Sequence, residues 1–165
     1  VLGLPLPGEG IREDGFQTQL LRPVTEIVSV QVVPLHGNDS CHIILRGGKS
    51  GPNYEQKDID EVITSLEEQK LPPHVMIDCS HGNSLKDYRN QPLVAANLCN
   101  QIANGSHSIT AVMIESNLTE GNQKLDPDLS KMTYGQSVTD ACISWDDTIE
   151  VLEKFAAAVR ERRTS

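Results

Sequence analysis

Three stretches decide the fold: His42-Ile43-Ile44-Leu45-Arg46-Gly47-Gly48-Lys49, Val75-Met76-Ile77-Asp78-Cys79-Ser80-His81 and Ala111-Val112-Met113-Ile114-Glu115-Ser116-Asn117. Each is a short apolar run that stops at residues able to do chemistry. Arg46, His81 and Glu115 recur about 35 residues apart, the length of one strand–helix unit in a parallel sheet. Reactive side chains at the same end of successive strands are how a (β/α) barrel builds a site on its C-terminal face. Near-continuous apolar strands also indicate burial on both faces.

Working outward, the strands are expected over Cys41–Leu45, Val75–Asp78 and Ile109–Ile114. Between the first two, residues 56–70 form an amphipathic helix with Ile59, Val62, Ile63 and Leu66 on one face, stopped by Pro72 and Pro73. Leu93, Val94, Leu98 and Ile102 mark a second helix, closed by Asn104-Gly105. Residues 116–136 make a polar loop of a length uncommon without a purpose. A last helix starts with Asp146 or Asp147 as its cap and buries Ile149, Leu152, Phe155, Ala156 and Val159. Residues 1–38 read differently. Leu4-Pro5-Leu6-Pro7-Gly8 is irregular chain, and residues 25–33 are β-branched enough for one strand. The organisation is therefore an irregular N-terminal extension, 1–38, and an α/β part, 39–165.

Composition narrows the function. The 165 residues are 38% hydrophobic and 4% aromatic, which is lean for a self-sufficient domain and fits a piece of a larger core. The net charge is −9, and no clustered Lys and Arg offer a groove for nucleic acid. Arg160, Arg162 and Arg163 sit where cations suit the C-terminal dipole of the last helix. No apolar stretch is long enough to span a bilayer, so no membrane partner is expected. Cys41, Cys79, Cys99 and Cys142 lack C-x-x-C spacing and read as free thiols in a reducing, cytoplasmic setting. No secretory leader is recognisable, although the chain starts at Val1 and not at Met.

Four residues carry the candidate chemistry. Arg46, with Gly47, Gly48 and Lys49, offers a planar fork and a close backbone for phosphate or carboxylate. The bland alternative is a turn whose Arg pairs with a neighbouring carboxylate. His81 can be a metal ligand or a general base, or a structural histidine at a strand end. Glu115 follows a fully apolar strand and needs a cation, a metal or a proton, with a salt bridge to a neighbouring strand as the alternative. Asp140 alone reads as a helix cap. Together with His81 and Glu115 it makes a mixed N/O set suited to Mn²⁺, Fe²⁺, Co²⁺ or Zn²⁺. Cys79, two residues before His81, faces the same way on a regular strand and is read as a core thiol in preference to a further ligand.

The motifs Leu45-Arg46-Gly47-Gly48-Lys49 through Pro52-Asn53-Tyr54, Asp78-Cys79-Ser80-His81-Gly82-Asn83-Ser84, Met113-Ile114-Glu115-Ser116-Asn117 with Glu120-Gly121-Asn122-Gln123, and Tyr134-Gly135-Gln136-Ser137-Val138-Thr139-Asp140-Ala141-Cys142-Ile143-Ser144-Trp145 stand in order and at fitting spacing. Over residues 37–163 they resemble the C-terminal part of class I, feedback-regulated 3-deoxy-D-arabino-heptulosonate 7-phosphate (DAHP) synthase. Asn83-Ser84, Lys86-Asp87 and Arg89-Asn90-Gln91-Pro92 lend the resemblance a fungal flavour. It implies a (β/α)₈ barrel, of which residues 39–165 would be about the last three βα units. It also implies the first step of the shikimate pathway, the metal-dependent condensation of phosphoenolpyruvate with erythrose 4-phosphate. By position, Arg46 resembles the arginine that grips the phosphate of phosphoenolpyruvate, with Gly47 and Lys49 beside it. His81, Glu115 and Asp140 resemble three of four metal ligands, and His81 and Arg46 take the catalytic roles.

The resemblance also has departures. The family's Gly-Pro-Cys loop, which carries the fourth ligand, and its Lys-Pro-Arg-Thr run do not occur in these residues. A barrel removes its edges only when all eight strands are present. The chain alone is therefore expected to be at best marginally stable, and inactive unless another chain supplies the rest. The expected partners are the two substrates, with room for a homo-oligomer or association with a full-length synthase. A non-catalytic truncated paralogue that binds metal or docks on such a synthase is the alternative from a different class. An unrelated metal hydrolase barrel is a third, against which the Arg46 loop argues.

Overall fold

The computed structural model describes residues 41–164, and everything below concerns those residues. The extension expected over 1–38, with its strand at 25–33, lies outside the described residues. Three parallel strands form the main sheet in the order β1 (Ile43–Leu45), β2 (Val75–Asp78), β3 (Ile109–Met113). Helix α1 (Gln56–Glu68) links β1 to β2, and α2 (Gln91–Ala103) links β2 to β3. The chain ends in α3 (Trp145–Thr164), which packs against α2.

The helices begin and end for local reasons. Glu55 and Asp58 reciprocally satisfy the first backbone N–H groups of α1. At the end of α2, Ser106 N–H donates to Gln101 O at 3.1 Å and Gly105 N–H to Ile102 O at 3.0 Å, with Gly105 at φ +100°. That is a Schellman turn, as Asn104-Gly105 led us to expect. Helix α3 is capped differently from expectation. Ser144, not Asp146 or Asp147, stands before it, accepting Asp147 N–H at 3.1 Å and donating its hydroxyl to the Asp147 carboxylate at 2.7 Å. The buried face also differs from expectation, with Ala156 exposed. Thr148, Val151, Phe155 and Ala158 point inward, while Ile149 and Leu152 are 40% and 50% exposed. At its end Arg162 reaches back to Ser106 O at 2.6 Å, a packing role for one cation of the terminal cluster.

Register explains how the core is divided. Leu45, Ile77 and Val112 are partners across the three strands, as are Ile44, Met76 and Ala111. Alternation puts the two rows on opposite faces. The Leu45–Ile77–Val112 row joins Ile59, Leu66, Val94, Leu98, Ile102, Val151 and Phe155 in one core against the helices. The Ile44–Met76–Ala111 row is not fully covered, and Ile44 is 43% exposed. The expected burial on both faces therefore holds for most of β2 and fails on its flanks. An apolar cavity of about 320 Å³ opens beside the start of β3, lined by Ile102, Ile109, Val112, Phe155 and Val159 among others.

The third strand stops at Met113, one residue short of the expectation, and the first starts at Ile43 instead of Cys41. The long polar loop is not structureless. It holds a small second sheet of β4 (Thr119–Asn122) and β5 (Gln136–Ser137). Among the described residues no helix is long and apolar enough to cross a membrane.

Two leucines on α2 separate this packing from simple amphipathicity. Leu98 is 0% exposed and Leu93 67% exposed. Leu98→Ala is expected to lower stability by about 2–5 kcal/mol, and Leu93→Ala by less than about 0.5 kcal/mol, measured by denaturant unfolding.

Candidate active site

Parallel pairing sends Arg46, the segment Asp78–His81 and Glu115 out at the same edge of the sheet. The first two strand ends meet backbone to backbone. Gly82 N–H donates to Arg46 O at 3.0 Å. A Cβ on Gly47 would stand 2.5 Å from the Gly82 carbonyl carbon, and one on Gly82 would stand 2.9 Å from Arg46 O. Gly47 also has φ +75°, where side chains are strained. Asn83, 2% exposed, ties the same region together. Its amide donates to Leu45 O at 3.1 Å and Asp78 O at 2.8 Å, and its oxygen accepts Asn53 N–H at 2.8 Å. Asn53 in turn accepts Gly47 N–H at 2.7 Å. One buried amide thus joins the ends of β1 and β2 to the glycine loop.

Arg46 is half-buried, and its guanidinium pairs with no carboxylate among the described residues. The turn reading, in which it would neutralise a neighbour, is not what the structure shows. Lys49 is exposed in the same loop, which Gly48 and Gly51 close by exchanging backbone hydrogen bonds of 2.9 and 3.1 Å.

His81 lies three residues beyond the end of β2, in a left-handed conformation at φ +49° that costs a non-glycine residue about 1–2 kcal/mol. Its surroundings hold it there. The Nδ1–H donates to Asp78 Oδ2 at 2.7 Å, and the carbonyl accepts Lys86 N–H at 2.8 Å. Nε2 then faces Glu115 Oε1 at 3.5 Å and Asp140 Oδ2 at 3.8 Å. A histidine whose other ring nitrogen is fixed by a carboxylate is the usual preparation of a metal ligand. Cys79 does not share this side. The strand ends at Asp78, so alternation no longer applies, and the thiol is 0% exposed in the core. Burial, and next to it Asp78 and Cys99, push that thiol up to about 12.

Glu115 is held by its main chain. Gln91, at the start of α2 and 1% exposed, accepts Glu115 N–H at 2.8 Å and donates to Glu115 O at 3.1 Å. The side chain accepts the Ser80 hydroxyl at 3.2 Å. Burial pushes the Glu115 carboxyl above its ordinary value. His81 draws it down, Asp140 and Asp78 push it further up, and the Ser80 hydrogen bond opposes them.

Asp140 arrives by way of the small sheet. Gly121 and Cys142 exchange backbone bonds of 2.8 and 3.1 Å. Ile143 N–H donates to Glu115 O at 3.0 Å, and Asn117 N–H to Ile143 O at 3.1 Å. The chain therefore returns beside the end of β3 and carries Asp140, 72% exposed, to the cluster. One ligand atom from each of His81, Glu115 and Asp140 lies within 4.8 Å of the others.

The charges around this cluster are balanced by a cation, a metal or a proton. Asp78, Glu115 and Asp140 surround one imidazole, and no described lysine or arginine pairs with them. One nitrogen and two carboxylate oxygens can hold a divalent transition metal. The structure brings together His81, Glu115 and Asp140. It joins the Arg46 loop to them through the backbone of Gly82 and the amide of Asn83. Asp78, Asn83, Asn53 and Gln91 had no assigned role in the sequence, because a buried amide is recognisable only by its partners.

The close glycine contact generates a paired test. Gly47→Ala is expected to lower stability by more than about 1 kcal/mol, read from the unfolding midpoint. Gly48→Ala, with nothing within 4 Å of the added carbon, is expected to leave the midpoint nearly unchanged.

Known proteins resemble this chain over most of its length. A protein of Schizosaccharomyces pombe named provisionally as a phospho-2-dehydro-3-deoxyheptonate aldolase is 55% identical over 142 residues, covering 86% of this chain and 39% of that protein. The Phe-sensitive phospho-2-dehydro-3-deoxyheptonate aldolase of Escherichia coli K12 is 50% identical over 132 residues, 80% of this chain and 37% of that enzyme. The structure of the phospho-2-dehydro-3-deoxyheptonate aldolase from Francisella tularensis SCHU S4 superposes with a TM-score of 0.72 at 48% identity, covering 76% of this chain and 36% of that one. The chain thus spans less than two fifths of the length of these relatives. The DAHP synthetase I family model matches residues 19–153, starting ahead of residue 37 where the motif resemblance began. The chain belongs to the DAHP synthetase I family.

Proposed function

We propose that this chain supplies about the last three βα units of a (β/α)₈ barrel, and with them one part of a DAHP synthase site. The observation that carries this reading is the convergence of His81, Glu115 and Asp140 at the strand-end rim that also bears Arg46. The half-covered Ile44–Met76–Ala111 row supports the barrel. An apolar row opposite the helices is what an inner barrel face looks like when its opposing strands lie outside the described residues.

In this reading Arg46 grips the phosphate of phosphoenolpyruvate, with the Gly47 backbone and Lys49 beside it. A half-buried guanidinium that pairs with no carboxylate among the described residues is suited to that task. His81, Glu115 and Asp140 hold a divalent metal, Mn²⁺, Fe²⁺, Co²⁺ or Zn²⁺. The bound ion supplies Lewis acidity toward the aldehyde of erythrose 4-phosphate. Asp78 keeps the His81 proton on Nδ1, so that the Nε2 lone pair faces the cluster. The overall reaction joins the enol carbon of one substrate to the aldehyde carbon of the other, takes up water and releases inorganic phosphate. The four cysteines, free in this structure, support a reducing, cytoplasmic setting.

A second reading, from a different class, is a metal-binding module that docks on a full-length synthase without catalysing. Phosphate release from the two substrates separates them. The synthase reading expects release when the chain is combined with a separately expressed remaining barrel segment of a relative, and loss of release with Arg46→Ala. Binding without release favours the docking module. For the metal, wild-type chain is expected to take up one Mn²⁺ or Zn²⁺ in titration calorimetry, and His81→Ala to weaken uptake by more than about 100-fold. Equal uptake by wild type and variant would sink the ligand assignment.

A further inference from the structure

We propose that Gln91 is the positioning residue that sets Glu115 for the cation, its side-chain amide serving both backbone groups of Glu115 just beyond the end of β3. The proposal rests on the metal reading above and extends it to a residue that touches no ligand atom of the cluster.

The need arises from the shape of β2. Cys79 N–H makes the last rung toward β3, donating to Met113 O at 2.9 Å. Ser80 and His81 then turn out of the sheet to build the cluster, His81 with φ +49°. Their departure leaves the next rung of β3, at Glu115, without a strand beside it. Gln91 occupies that place. Its oxygen accepts Glu115 N–H at 2.8 Å and its amide nitrogen donates to Glu115 O at 3.1 Å. In a parallel ladder these two groups would be served by two different residues of the neighbouring strand, whereas here one side-chain amide serves both. Ile143 N–H reaches the same carbonyl from the other side at 3.0 Å. Glu115 is therefore clamped between a helix side chain and the returning chain, and its carboxylate is left aimed at Ser80 and His81 Nε2.

Burial makes the clamp rigid. Gln91 is 1% exposed, and an unpartnered amide at such a site is costly, so the side chain has little alternative to Glu115. It sits on the first residue of α2, followed by Pro92, which ties the rotation of that helix to the aim of the carboxylate. Outer groups that orient a metal-bound residue change affinity by about 10- to 100-fold when removed.

The experiment compares wild type, Gln91→Met, Gln91→Ala and Leu93→Ala in the full chain, using Mn²⁺ and Zn²⁺ alone as probes. Gln91→Met fills the same space without hydrogen bonding. Leu93→Ala alters the exposed face of the same helix without touching the clamp. Titration calorimetry is expected to show affinity reduced about 10- to 100-fold in both Gln91 variants, and wild-type affinity in Leu93→Ala. Hydrogen exchange is expected to show the Glu115 amide losing protection in the Gln91 variants while Ile77 and Val112 keep theirs. Wild type that binds cation while Gln91→Met binds equally well would overturn this inference and leave the metal reading standing. Protection lost at Ile77 and Val112 as fully as at Glu115 in Gln91→Met would also overturn it, by showing general loosening. Wild type that binds no cation would overturn the metal reading, and the inference with it.

Discussion

Three parallel strands must end at one rim, yet the site requires that their chains leave the sheet immediately. Each departure exposes backbone groups that no strand satisfies, and a buried unsatisfied N–H or carbonyl costs about 1–3 kcal/mol. The structure resolves this with side-chain amides. Asn83 serves the carbonyls of Leu45 and Asp78, and Gln91 serves both backbone groups of Glu115. Without these substitutions the loops bearing Arg46, His81 and Glu115 would have no fixed place. The chemistry at the rim depends on this backbone satisfaction.

Electrostatics follows from the same arrangement. Fixing the strand ends gathers Asp78, Glu115 and Asp140 about a single imidazole. Among the described residues no lysine or arginine pairs with them, so the three carboxylates repel, and burial raises the Glu115 carboxyl further. Such a cluster could hold a cation. The neighbouring guanidinium of Arg46, free of described carboxylates, provides the opposite polarity for an anion on the same rim. The same rim thus carries a carboxylate-rich cluster and a guanidinium side by side.

The core reflects a division of labour between the two faces of the sheet. Helices α1, α2 and α3 cover the Leu45–Ile77–Val112 row, while Ile44 on the opposite row remains 43% exposed. The helical side is packed densely enough to hold the strand ends in register. The other side is only partly covered among the described residues.

Much of this was legible in the sequence because it is local. Apolar runs followed by Arg46, His81 and Glu115 at regular spacing determined parallel strands with one chemically equipped end, and Asn104-Gly105 determined where α2 stops. The motifs around Asp140 pointed to the family. What tertiary structure decided was everything that depends on partners distant in sequence. The buried stripe of α3 runs through Thr148, Val151, Phe155 and Ala158 and not through Ile149 and Leu152, because helix phase is set by packing against α2 and not by hydrophobicity alone. The loop after β3 folded into a small sheet because the return of Asp140 needs backbone bonds to Gly121 and Glu115. Asn83 and Gln91 acquired their roles only in three dimensions, since an amide shows in sequence what it can bond but not which strand end will need it.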